Sequence, residues 1–140
     1  MLENLKFHHV GLACFTLDDS KTFYEQLGYC CSTPIDDPIQ GVRVSFLEKD
    51  GMPRLELLAP INEESPINRI LRTQGVTPYH ICYETNNLLQ TIFKLRKEYR
   101  FVVVSKPSPA CAINNRYVAF MFRKDVGLIE LVERNEVLCL

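Results

Sequence analysis

Two histidines and two glutamates recur at matching places in the sequence: His9 and Glu56 are 47 residues apart, His80 and Glu130 are 50. Each histidine opens an apolar, strand-like run, His9-Val10-Gly11-Leu12 and His80-Ile81-Cys82-Tyr83. Each glutamate interrupts one, in Leu55-Glu56-Leu57-Leu58 and Ile129-Glu130-Leu131-Val132. A carboxylate inside an apolar strand is costly to bury unless something pairs with it. Strand side chains alternate, so Glu56 points away from Leu55 and Leu57, and Glu130 away from Ile129 and Leu131. If the two halves of the chain are related by pseudo-symmetry, the four residues converge as a two-His, two-Glu set. Such mixed nitrogen and oxygen donors suit one divalent metal ion, Co, Ni, Zn or Mn, with further positions open to water or substrate oxygens. His8 must face the other side of its strand and stands where the second half has Tyr79, so it receives no role.

The elements that must position these residues also repeat. Val44-Ser45-Phe46-Leu47 aligns with Val118-Ala119-Phe120-Met121, and each phenylalanine lies ten residues before a glutamate. One copy runs from about Phe7 to Pro60 and the other from about Pro78 to Glu133. In the first, Asp18-Asp19-Ser20 offers capping side chains, Phe23 and Leu27 share a helical face, and Gly28 is placed to end the helix. In the second, Asn86 or Asn87 caps a helix whose face is traced by Leu88, Leu89, Ile92, Leu95 and Arg96. Phe101 to Ser105 and Arg116 to Phe122 read as strands, with Lys106-Pro107-Ser108-Pro109 as a loop between them. Each copy is therefore βαβββ. Ser65-Pro66 starts a connector helix over about 65–73, with Ser65 as cap and Ile67, Ile70 and Leu71 on its apolar side. The expected fold class is α+β, two βαβββ modules in one domain spanning 1–140.

Composition narrows the function. Sixteen Lys and Arg against seventeen Asp and Glu leave a net charge of −1, too little positive field to hold a phosphate backbone, so nucleic acid is not an expected partner. No apolar run approaches the roughly 20 residues that span a bilayer, and Met1 to Lys6 has no basic segment leading into an apolar one, so a cytoplasmic location without a membrane partner is expected. The six cysteines, Cys14, Cys30, Cys31, Cys82, Cys111 and Cys139, show no regular spacing and no C-x-x-C, which favours reduced thiols. Cys30 and Cys31 are expected to face opposite sides of a strand. A Gly-rich dinucleotide loop is also missing.

Several stretches carry a resemblance. They are His9-Val10-Gly11-Leu12-Ala13, Phe23-Tyr24-Glu25-Gln26-Leu27-Gly28, Gly41-Val42-Arg43-Val44-Ser45-Phe46-Leu47, Leu55-Glu56-Leu57-Leu58-Ala59-Pro60, Ser65-Pro66-Ile67, Tyr79-His80-Ile81-Cys82-Tyr83-Glu84 and Gly127-Leu128-Ile129-Glu130-Leu131-Val132-Glu133. Together they resemble the vicinal-oxygen-chelate superfamily of glyoxalases, bleomycin resistance proteins and dioxygenases. Glu56-Leu57-Leu58-Ala59-Pro60 followed by Ser65-Pro66-Ile67 is most similar to its methylmalonyl-CoA epimerase branch.

The resemblance implies an open, cup-shaped mixed sheet around one divalent metal, usually in a homodimer, with His9, Glu56, His80 and Glu130 as ligands. It implies a small-molecule substrate and proton transfer at a carbon α to a metal-bound carbonyl, most simply the epimerisation of an acyl-CoA thioester such as methylmalonyl-CoA. Glu130 matches the residue that serves as base. Where some epimerases carry a second carboxylate this chain has Val44, so Glu48 and Glu84, which share strand parity with Val44 and His80, are the substitute candidates. Arg116 keeps the family's basic position, and with Asn115 and Phe46 it is assigned to substrate binding. The loop before it is Gly-rich in epimerases but reads Ala110-Cys111-Ala112-Ile113-Asn114-Asn115 here. A glyoxalase I-type lyase acting on a glutathione hemithioacetal would use the same four ligands and is the first alternative. A non-enzymatic binding protein of the resistance type, which normally lacks the metal set, is the second. An extradiol dioxygenase would need a further acid-base histidine, and His8 faces away.

Overall fold

A computed structural model describes residues 2–134, so Cys139 lies outside the described residues. The described residues form two compact units, one of residues 9–79, the other of residues 2–8 together with 80–134. The structure is α+β, with mixed sheets that stay open.

The 9–79 unit is built from β1 (Lys6–Ala13), α1 (Leu17–Gln26), β2 (Cys30–Cys31), β3 (Ile35–Asp37), β4 (Val42–Glu48), β5 (Leu55–Pro60) and α2 (Asn68–Gln74). β4 pairs antiparallel with β2, β3 and β5, and β5 runs parallel to β1. The other unit repeats the plan with β6 (Thr77–Thr85), α3 (Leu88–Tyr99), β7 (Val102–Ala110), β8 (Arg116–Arg123) and β9 (Gly127–Glu133). There β8 pairs antiparallel with β7 and β9, and β9 runs parallel to β6. A parallel pairing of first and last strand needs a long crossover, which the helix and two intervening strands of each unit supply.

One face of each sheet carries the helix. Leu17 and Tyr29 pack on Cys14, Leu47, Leu57 and Ala59 in one unit, and Leu88, Ile92 and Leu95 pack on Ala119, Met121, Ile129 and Leu131 in the other. Strand alternation then turns Phe46 and Glu56, and Phe120 and Glu130, to the face opposite the helix.

Local details depart from the sequence reading. The cap of α1 is Thr16, whose hydroxyl accepts from the Asp19 amide, so Asp18 and Asp19 occupy the first turn, where acidic residues suit the helix dipole. Phe23 and Leu27 are exposed, and Leu17 is the buried residue of α1. In α3 the cap is Asn87, and Leu89 is exposed while Leu88, Ile92 and Leu95 are buried. The connector helix begins at Asn68 instead of near 65, because Ser65 and Pro66 form a preceding turn closed by the Asn68 amide on the Ser65 carbonyl. The second strand of the first copy is split into β2 and β3 around Pro34, which has no amide to give the ladder. Residues 106–109 are part of β7 and not a loop. Among the described residues β7 pairs with β8 alone and is irregular in register there, and an edge strand with bulges tolerates the missing amides of Pro107 and Pro109.

Candidate metal centre

Each unit presents the same constellation on the sheet face away from its helix. In the 9–79 unit, His9 Nε2 lies 3.4 Å from Glu56 Oε1. Glu56 stands opposite Gly11 on β1 and Phe46 on β4, so the histidine two residues before Gly11 reaches it along the same face. In the other unit, His80 Nε2 lies 3.3 Å from Glu130 Oε1, and Glu130 stands opposite Cys82 and Phe120. His9 is 0% exposed, Glu56 4%, His80 4% and Glu130 2%. A carboxyl group so deeply buried is costly unless it is hydrogen-bonded or paired. The imidazole beside each glutamate is the polar partner placed to meet that cost. Imidazole nitrogen and carboxylate oxygen are donors that borderline divalent ions accept, so the buried His9–Glu56 pair of one unit and the buried His80–Glu130 pair of the other are each suited to ligate such an ion.

The sequence in this region decides the family. Residues 8–120 match the model of the Glyoxalase/Bleomycin resistance protein/Dioxygenase superfamily. The chain belongs to that superfamily. It is 32% identical over 132 residues to the ethylmalonyl-CoA/methylmalonyl-CoA epimerase of Cereibacter sphaeroides, covering 90% of this chain and 96% of that one. Among solved structures it is similar to a hypothetical protein from Bacillus halodurans, with a TM-score of 0.83, 30% identity and coverage of 94% and 96%. It is also similar to a variant of Streptomyces coelicolor methylmalonyl-CoA epimerase in complex with 2-nitronate-propionyl-CoA, with a TM-score of 0.79, 27% identity and coverage of 94% and 98%.

The other residues singled out in the superfamily chain fall in three places. Phe46 lies against His9, its ring 5.3 Å from the imidazole and nearly perpendicular to it. Glu84 and Arg116 share the sheet face of His80 and Glu130 by strand parity and are joined to each other. Arg116 Nη2 donates to Glu84 Oε2 at 2.8 Å, and its Nε donates to the Glu133 carbonyl at 2.6 Å. Burial by itself pushes the Glu84 carboxyl up, but the Arg116 hydrogen bond and the charges of His8, Arg116 and Arg134 outweigh it and hold the group below the usual carboxylate range. Glu48 sits apart, exposed at the end of β4, where Arg54 Nε reaches its Oε1 at 2.7 Å. Asn115 is exposed in the turn between β7 and β8 and donates its amide to the Ala110 carbonyl.

That turn takes up left-handed backbone without using glycine. A 3-10 turn over Cys111–Ile113 is followed by Asn114 at φ 54° and Asn115 at φ 59°. Asparagine is the non-glycine residue that most readily takes the left-handed conformation, so two in a row replace glycine there. Two features escaped the sequence reading. Phe120 lies on His80 as Phe46 lies on His9, and its alignment with Phe46 in the repeat was the available signal. The Glu84–Arg116 pairing joins residues 32 apart and has no local signature.

Proposed function

We propose that this protein is a metal-dependent epimerase that moves a proton at the carbon α to the carbonyl of an acyl-CoA thioester, with methylmalonyl-CoA as the leading substrate. The observation that carries this reading is the duplicated, buried His–Glu pair, at 3.4 Å in one unit and 3.3 Å in the other. Packing needs alone give no reason to build the same costly pair twice. In this proposal His9, Glu56, His80 and Glu130 hold a single Co, Ni, Zn or Mn ion. A divalent ion bound there supplies Lewis acidity to the thioester carbonyl and lowers the cost of negative charge on its oxygen. The carboxylate of Glu130 takes the α-proton and returns it to the same or the opposite face of the carbon. The apolar neighbours Val118 and Val132, both buried, keep water from the carboxylate. Arg116, held by Glu84, keeps a positive charge on the same sheet face for the anionic end of the substrate, with Asn115 at the turn beside it. A homodimer covers the exposed sheet edges, which otherwise invite pairing with other chains. A cytoplasmic setting suits a chain whose described cysteines form no disulfide and which, among the described residues, has no helix long and apolar enough to cross a membrane.

The test is metal analysis of protein purified without added metal, followed by incubation in deuterated water with methylmalonyl-CoA and, separately, with the glutathione hemithioacetal. The expected result is about one bound ion per chain and deuterium at the thioester α-carbon. The Glu130→Gln variant should be slower by about 10²- to 10⁴-fold, the usual worth of a general base. Uptake by neither substrate, or equal uptake by the variant, overturns the mechanism, and uptake by the hemithioacetal alone moves the chain to the glyoxalase I-type reaction. Sedimentation at micromolar concentration checks the dimer, and a monomer there refutes it.

A further inference from the structure

Both histidines of the proposed centre have the same aromatic neighbour in the same geometry. Phe46 and His9 have ring centroids 5.3 Å apart and planes at 80°, and Phe120 and His80 are at 5.3 Å and 84°. Each phenylalanine is also the cross-strand partner of its unit's glutamate, Phe46 of Glu56 and Phe120 of Glu130. Histidine, glutamate and phenylalanine therefore form a three-residue motif that the chain builds twice.

The ring of a histidine turns about a torsion with a broad energy profile. A hydrogen bond or ligand bond at Nε2 fixes where that atom sits but leaves the ring plane free to rock about it. An aromatic ring meeting the imidazole edge-to-face restrains that rocking, since a well-oriented aromatic pair contributes about 0.5–1.5 kcal/mol beyond area burial. Simple space-filling does not account for the repeat: a leucine fills a similar volume and sets no plane, yet both sites hold phenylalanine within 4° of the same interplanar angle, 80° against 84°.

We propose that Phe46 and Phe120 are positioning residues, each fixing the plane of its histidine so that Nε2 is aimed at the shared ion before the ion arrives. The proposal rests on the reading that His9 and His80 hold a metal, and it moves Phe46 from contact with substrate to support of a ligand.

The experiment compares the wild-type protein with Phe46→Leu, Phe120→Leu, Phe46→Tyr and Phe120→Tyr. Cobalt or zinc affinity is measured by calorimetric titration, and the imidazole nitrogens are followed by NMR in metal-free protein. Loss of an orienting partner of a metal ligand typically costs 10- to 100-fold in affinity, and that loss is expected for each leucine variant. The tyrosine variants keep the ring edge and should keep wild-type affinity. In the metal-free spectra, His9 and His80 should each show one Nε2-protonated tautomer in the wild type and the tyrosine variants, and averaged signals for the affected histidine in each leucine variant. Leucine variants with wild-type affinity and wild-type imidazole spectra overturn the proposal, as do tyrosine variants that lose as much as the leucine ones. A wild-type protein that binds no ion refutes the metal reading instead, and the metal-free spectra still decide whether the phenylalanines set the rings.

Discussion

Replacing Arg116 by alanine separates two jobs that Arg116 and Glu84 could have in this fold. Two hydrogen bonds are lost, one at 2.8 Å to the Glu84 carboxylate and one at 2.6 Å to the Glu133 carbonyl. Hydrogen bonds to charged groups contribute about 1.5–3 kcal/mol each when well shielded. The side chains of Arg116 and Glu84 are 12% and 24% exposed, so the ion pair is partly screened. It then contributes about 1–2 kcal/mol, above the 0–1 kcal/mol of a fully exposed pair. With about 1 kcal/mol for the carbonyl contact, Arg116→Ala should cost about 2–3 kcal/mol by urea unfolding at neutral pH. A double-mutant cycle with Glu84→Ala should return a coupling of about 1–2 kcal/mol. The pH dependence has a definite sign. The Glu84 carboxyl is held below its ordinary range in the folded protein, so its contribution is fully present above the unfolded value of about 4.3 and is lost as pH falls through the lower folded value. The stability gap between wild type and Glu84→Gln should therefore shrink as the medium is acidified below that point. An ion-paired Glu84 is a poor proton acceptor, so Glu84→Gln should keep α-proton exchange within about tenfold of wild type, well short of the 10²- to 10⁴-fold loss of a base. A coupling near zero, a gap that grows in acid, or exchange abolished in Glu84→Gln would refute this account of the pair.

Removing the ion with a chelator should lower the thermal midpoint, because a ligand that binds only the folded state at 100 times its Kd adds about 2.7 kcal/mol. For a chain of this length that is a fall of about 8–10 °C, and an unchanged midpoint in a protein shown to bind metal would contradict it. Gly28→Ala should destabilise by more than about 1 kcal/mol, since the residue ends α1 at φ +94° and an added Cβ would lie 3.3 Å from the Lys49 side chain. Urea midpoints measure that loss, and a neutral result would mean that the backbone relaxes there.

The parts of the structure that were legible in the sequence share one property: they repeat. The strand period of two fixed which face Glu56 and Glu130 take as soon as Leu57 and Leu131 were assigned to the core, and both leucines are 0% exposed. The alignment of the two copies then supplied what a single strand could not, a reason to group residues far apart in sequence. What was misread depends on single contacts. Thr16 caps α1 in place of Asp18 because chain entry, and not side-chain type, decides which of several good capping residues reaches the Asp19 amide. Pro107 and Pro109 looked like loop residues because the composition of a strand does not reveal whether it lies at an edge.

The same distinction separates the centre from its surroundings. His9, Glu56 and Phe46 have counterparts in His80, Glu130 and Phe120, so duplication constrains all six at once. Glu84 and Arg116 have none: the aligned places in the first copy are held by Ala13 and Val42, and Glu48, at the end of β4, pairs with Arg54. Among the described residues, a shielded Arg–Glu ion pair on the face of the His–Glu pair is therefore found in the second unit alone. Under the proposed function, that asymmetry gives the site a way to distinguish the charged end of an acyl-CoA from its reacting end, which two equivalent His–Glu pairs cannot do by themselves. On that proposal, substrate selection is to be sought where the chain departs from the repeat, at Glu84, Arg116 and the turn through Asn114 and Asn115, and the proton-transfer chemistry at the repeated His–Glu pairs.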